Sequence, residues 1–222
     1  MLAQNVTIYA LPGWGFHASI FDALQHDAFC LKGLDYIHLA ELPPQRIAEE
    51  LSDQLPDDAC LLGWSLGGLL AMQIASLFPH KIKKLILIAS QPKLELANAE
   101  AFFHAAVTDL EQQLAYFLRL VCYPHRSRAL RAILQQHMVT GQTRALISLL
   151  ALLFSLDLRS QYQHLDQDIL QIISQQDAVV SQRADLPHPK ATIITLEQAG
   201  HAGFLTHTSL CVDAITRWLR HE

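Results

Sequence analysis

Ala59-Cys60-Leu61-Leu62-Gly63-Trp64-Ser65-Leu66-Gly67-Gly68-Leu69-Leu70 is the stretch whose reading decides the fold. It opens with four apolar residues in a row, the pattern of a short strand buried on both faces. A Gly-x-Ser-x-Gly turn follows, and then a helical run that Pro79 closes after Phe78. In such a strand–turn–helix the serine occupies a strained elbow, and small neighbours let strand and helix approach closely. Ser65 is therefore the candidate nucleophile. The amide of the next residue, Leu66, is placed to meet a developing oxyanion.

Working outward, Val6–Leu11 is an apolar run that stops at Pro12-Gly13, a strand entering a loop. Residues 35–39 form a weaker strand candidate. Residues 46–55 have helical spacing and end before Pro56, and residues 82–89 are a third strand rich in Ile and Leu. From 98 to 165 the chain is Leu-, Ala- and Gln-rich with helical periodicity and few turn signals. Strands resume at 169–174 and at Ala191–Leu196, and a last helix covers 209–219. The alternation predicts an α/β fold, a mostly parallel sheet with helices on both faces. Its body is residues 1–97 and 166–222, with 98–165 inserted as a helical cap.

The bulk composition fits one such domain. The chain has 222 residues, of which 51% are hydrophobic, enough for a single large core. A net charge of −5 gives no reason to expect nucleic acid as a partner. No apolar run reaches the roughly 18–20 residues that a membrane helix needs, and residues 145–156 read instead as a buried helix or pocket wall. The first residues lack a secretory signal pattern. Cys30, Cys60, Cys122 and Cys211 are scattered without metal-ligand spacing, which points to reduced thiols in a cytoplasmic protein.

A serine hydroxyl needs a base to take its proton. In this kind of fold the acid and then the histidine follow the serine in chain order. Of twelve histidines, His201 alone falls directly after a late strand and before the last helix, in Ala199-Gly200-His201-Ala202-Gly203. His207 is discounted because it falls at the start of that helix. Asp177 follows the 169–174 strand by a short polar turn, at the same end of the sheet. Its carboxylate would accept the histidine's Nδ1–H and fix the tautomer. Asp157, Asp166 and Asp168 are expected before that strand, and Asp185 in a loop after it. A second oxyanion donor is expected from the loop after the first strand, where the amide of Trp14 is the candidate. Neither a metal nor an organic cofactor is needed for this chemistry.

Taken together, Pro12-Gly13-Trp14-Gly15, Gly63-Trp64-Ser65-Leu66-Gly67-Gly68, Gln73-Ile74-Ala75, Phe117-Leu118-Arg119-Leu120, Asp157-Leu158-Arg159 and Gly200-His201-Ala202-Gly203-Phe204 resemble the pimeloyl-acyl-carrier-protein methyl ester esterases of biotin synthesis, the BioH family of α/β-hydrolases. The resemblance runs over nearly the whole chain. It implies hydrolysis of the methyl ester of pimeloyl-acyl carrier protein, releasing methanol, with Ser65, Asp177 and His201 as the triad. Trp14 and Leu66 would bind the carbonyl end, and Phe117, Leu118, Arg119, Leu120 and Val121 would line the acyl channel. Two departures stand out: such enzymes usually have further strands before the oxyanion loop, and they carry His where this chain has Pro12. A general short-chain esterase, a thioesterase or a carbon–carbon bond hydrolase would use the same triad on small substrates. A non-catalytic binding protein of this fold would typically lack one of its members.

Charge adds a separate observation. Residues 112–156 contain no Asp or Glu but hold Arg119, Arg126, Arg128, Arg131 and Arg144. On charge alone this reads as a solvated helix face. With the resemblance added, Arg126, Arg128 and Arg131 become candidates for docking an acidic acyl carrier protein. Arg128 and Arg131 are expected to be more exposed than Arg119.

Overall fold

The computed structural model describes residues 6–95, 98–180 and 188–220. Among these residues six strands form one sheet: β1 (Val6–Leu11), β2 (Phe29–Gly33), β3 (Ala59–Trp64), β4 (Ile82–Ile88), β5 (Asp168–Ser174) and β6 (Ala191–Leu196). Their order is β2-β1-β3-β4-β5-β6, and every neighbouring pair is parallel. Every residue of β3 is buried, as the unbroken apolar run requires of a central strand with both faces covered. β6 at the edge is largely exposed.

Two helices, α1 (Pro44–Ser52) and α2 (Leu66–Leu77), flank β3 in sequence. Pro44 opens α1 at a position where a missing N–H costs nothing. Among the described residues five helices then separate β4 from β5: α3 (Ala99–Thr108), α4 (Leu110–Cys122), α5 (Arg128–Gln136), α6 (Thr143–Ser155) and α7 (Arg159–Gln163). Asp109 and Ser127 cap α4 and α5 by accepting from the Gln112 and Leu130 amides. The apolar run at 145–156 becomes α6, which buries Leu146, Leu149, Leu150, Leu152 and Leu153. Each such side chain contributes about 1.5–3 kcal/mol on leaving water. Short α8 (Gly203–Thr206) and long α9 (Thr208–Arg220) complete the chain.

The chain that leads into α3 and the chain that leaves α6 are tied at one clasp. Lys93 and Asp157 pair as an isolated antiparallel bridge, and the Leu158 amide donates to the Pro92 carbonyl at 2.8 Å. Asp157 accepts from Arg159 at 2.9 and 2.6 Å and pairs with Lys93 at 3.2 Å. Arg159 holds the Asp157 carboxyl well below the usual carboxylate range.

Two expectations need correction. Residues 35–39 are not a strand: the Asp35 carboxylate accepts from the Ala18 amide, the Tyr36 hydroxyl donates to the Pro12 carbonyl, and residues 37–39 close into a 3-10 turn. The strand beside β1 is β2, whose alternating buried and exposed residues suit a sheet edge. Asp168 does not precede β5 but begins it, paired with Lys84. Asp185 lies outside the described residues.

Candidate active site

The elbow is built by sterics. Ser65 sits between β3 and α2 at φ 54°, ψ −119°, a conformation an L-residue holds only under constraint. A Cβ on Gly63 would lie 2.4 Å from the Gly67 carbonyl oxygen, and one on Gly67 would lie 2.1 Å from that of Leu11. No side chain fits at either place, so these two glycines let β3, α2 and the end of β1 meet. The Ser65 backbone is fastened on both sides: its amide donates to the Ile88 carbonyl at 3.0 Å, and its carbonyl accepts from the Ser90 hydroxyl at 2.8 Å.

Asp177 and His201 meet from two adjacent turns. The turn after β5 is bound to the segment after β6 by the Gln175 amide to the Leu196 carbonyl and the Gln176 amide to the Ala199 carbonyl, at 3.0 and 2.8 Å. His201 Nδ1 then lies 2.8 Å from Asp177 Oδ2, and both side chains are wholly buried. A carboxylate only accepts, so Nδ1 carries the proton and Nε2 keeps the lone pair. The other carboxylate oxygen accepts from the amides of Val179 and Val180 at 2.8 and 2.9 Å. His201 Nε2 is buried and has no hydrogen-bond partner among the described residues. A buried base with its lone pair uncommitted is what proton abstraction requires.

Trp64, to which sequence reasoning assigned no role, joins the two halves. Its indole N–H donates to the His201 carbonyl at 3.0 Å, and its ring lies 5.4 Å from the imidazole. Ser90 was missed as well. The partners of these two residues lie 137 and 25 positions away, and no local pattern marks them. His207 falls between α8 and α9, 6.2 Å from His125 ring to ring.

The proposed oxyanion donors come from two elements. Leu66 is the first residue of α2, where amides have no partner within the helix. Trp14 lies in a turn closed by the Phe16 amide on the Gly13 carbonyl; Gly15 supplies the positive φ of 81° that such a turn needs. The Trp14 ring is buried against Phe117 at 5.0 Å.

The stretch 117–121 does not form one channel wall. Phe117 faces Trp14 and lies 6.4 Å from the His201 ring. Leu118 and Val121 are buried, and Leu120 is half-buried. Arg119 corrects the expectation: it is exposed, with its guanidinium 5.3 Å from the Tyr116 ring centre. Two positions along a helix turn a side chain by about 200°, away from the face that Phe117 uses. Arg119 is thus as exposed as Arg126, Arg128 and Arg131, and all four line a groove of about 410 Å³ with Leu118 and Cys122 among its walls. None of the four is ion-paired among the described residues, whereas Arg144 pairs with Glu41 at 2.8 Å. Among the described residues no cluster of His, Cys, Asp or Glu could hold a metal ion. No described helix is long and apolar enough to cross a membrane.

Residues 2–214 match the model of the alpha/beta hydrolase family. The chain belongs to that family. Among its alpha/beta hydrolase relatives, the pimeloyl-[acyl-carrier protein] methyl ester esterase of Chromobacterium violaceum is 28% identical, covering 100% of this chain and 97% of that protein. The enzyme of the same name from Shewanella sp. strain MR-7 is 30% identical, covering 97% and 91%. A hydrolase from Oleispira antarctica shares the fold with a TM-score of 0.86 at 15% identity, over 99% of this chain and 93% of that one. The enol-lactonase of Burkholderia xenovorans LB400 does so with a TM-score of 0.82 at 18% identity, over 98% and 92%. This alpha/beta hydrolase is an enzyme of the esterase kind.

Proposed function

We propose that this esterase hydrolyses the methyl ester of pimeloyl-acyl carrier protein in biotin synthesis, using Ser65, His201 and Asp177. The single observation that carries the mechanism is the buried Asp177–His201 pair, which leaves Nε2 without a partner among the described residues; we read the strained elbow at Ser65 as the seat of the nucleophile. Ser65 Oγ attacks the ester carbonyl carbon while His201 Nε2 takes its proton, and the Leu66 and Trp14 amides hold the oxyanion. The tetrahedral intermediate collapses, the C–O bond to methanol breaks, and His201 returns the proton to the leaving oxygen. Water then attacks the acyl-enzyme, gives its proton to His201, and releases the free acid and Ser65.

The substrate rests on the full-length relatives and on the cationic groove of α4 and α5. We read 98–165 as a cap, and Arg126, Arg128 and Arg131 as the docking site for the acidic carrier. The four unpaired cysteines fit a cytoplasmic setting. Wild type is expected to cleave carrier-bound pimeloyl methyl ester faster than acetate or butyrate esters. A fluorophosphonate probe should label Ser65, and Ser65→Ala should abolish both activities. Near-normal hydrolysis by Ser65→Ala would overturn the mechanism, and a preference for short esters would overturn the substrate. Reversing Arg126, Arg128 and Arg131 to Glu should slow the carrier-bound substrate while sparing a p-nitrophenyl ester; equal loss on both would refute docking.

A further inference from the structure

The loop that carries Trp14 is held from two sides. Its ends belong to the body: the Pro12 carbonyl accepts from the Tyr36 hydroxyl at 2.7 Å, and the Ala18 amide donates to Asp35 at 2.7 Å. Its middle belongs to the inserted helices. The His17 amide donates to the His137 carbonyl at 2.8 Å, and the Val139 amide donates back to the Gly15 carbonyl at 2.9 Å. These two bonds frame an antiparallel bridge between Phe16 and Met138. The Trp14 indole N–H, itself buried, donates to the Leu146 carbonyl in α6 at 2.8 Å. Outside this ladder, Ser19 Oγ lies 2.8 Å from His137 Nδ1.

The Trp14 peptide is thus held by Tyr36 on its N-terminal side, while its indole and the residues that follow it are fixed by partners more than 100 positions away, between α5 and α6 and in α6. Lifting that edge would break the indole bond and both backbone bonds, and an unpaired buried donor is strongly disfavoured. We infer that the α5–α6 connection and the Leu146 carbonyl form a positioning element for the Trp14 amide, so that the insertion helps to build the oxyanion hole. This rests on the mechanism proposed above. Its signature follows from the chemistry: a donor aimed at an oxyanion acts on the transition state more than on the bound ester. Loosening the tether should therefore lower kcat and spare KM.

Two variants test the inference. Trp14→Phe removes the indole donor and keeps an aromatic ring against Phe117; Val139→Pro removes the amide that Gly15 accepts. Fluorophosphonate labelling of Ser65 in wild type, with Ser65→Ala inactive, first shows that the underlying mechanism holds. Each variant that stays folded is then expected to lose about tenfold or more in kcat on p-nitrophenyl butyrate, with KM nearly unchanged. Affinity for an alkyl boronic acid, which imitates the tetrahedral state, should fall by a similar factor. Should one variant fail to fold, the other decides. Unchanged kcat, a change confined to KM, or lost turnover with undiminished boronate affinity would overturn the inference. Loss of the folded state in both would overturn it too, because the contacts would then support the fold and not the donor.

Discussion

Two histidines lie buried at opposite ends of β6, and their hydrogen bonds run in opposite senses. His188, before the strand, donates from Nε2 to the Leu165 carbonyl at 3.1 Å and accepts the Lys190 amide on Nδ1 at 3.2 Å. His201, after the strand, donates from Nδ1 to Asp177 and leaves Nε2 unpartnered. Both are almost wholly shielded from water. One has spent both nitrogens on the fold and ties two loops together. The other, beyond the strand's C-terminal end, has a partner on Nδ1 alone among the described residues. Burial alone therefore does not distinguish these two histidines; they differ in how many ring nitrogens are hydrogen-bonded.

Substitution should separate the two most sharply at His201. His201→Ala is expected to lower kcat by roughly ten-thousandfold to a millionfold with little change in melting temperature, checked by ester turnover and calorimetry. Substantial residual turnover would erase the distinction. Asp177→Asn tests the same contrast from the other partner. An asparagine can still accept the Val179 and Val180 amides but can present its NH₂ to Nδ1, favouring the wrong tautomer, and the expected loss is about ten-thousandfold.

His188→Gln should reverse the pattern, leaving turnover in place and lowering stability by about 1–3 kcal/mol. The smallest effect is in pH dependence. Burial lowers the proton affinity of His188 below its ordinary value, so the unfolded chain binds a proton that the folded chain refuses. Stability should accordingly decline as pH falls below about 6.5 and level off below the lowered value. In His188→Gln that part of the slope should vanish, which thermal melts across the range would show. A slope that persists unchanged would assign it to another group.

Much of this was readable in short windows. The elbow announces itself through its strand–turn–helix pattern and through Gly63, which is needed by a contact inside that unit, whereas Gly67 is needed by the end of β1. His201 and Asp177 could be chosen by their place after successive strands. β2 was missed because Phe29-Cys30-Leu31-Lys32-Gly33 is a brief edge strand with one buried face, a weak signal beside the fully apolar β3. Residues 35–39 misled because their apolar content resembled a strand, while Asp35 and Tyr36 spend their polar groups on Ala18 and Pro12. Arg119 was placed with its neighbours in sequence, although a helix sends adjacent residues to different faces.

The amino-acid order by itself settled the α/β alternation and the strand–turn–helix around Ser65, since each element is read from periodicity and turn chemistry over a dozen residues or fewer. Folding decided which polar atoms pair across the chain. The Asp177–His201 bond, the Trp64 bond to the His201 carbonyl, and the Trp14 tether to Leu146 span 24, 137 and 132 positions. Such partners are chosen by packing of the whole core, because a buried donor must find whichever acceptor the surrounding elements bring within about 3 Å.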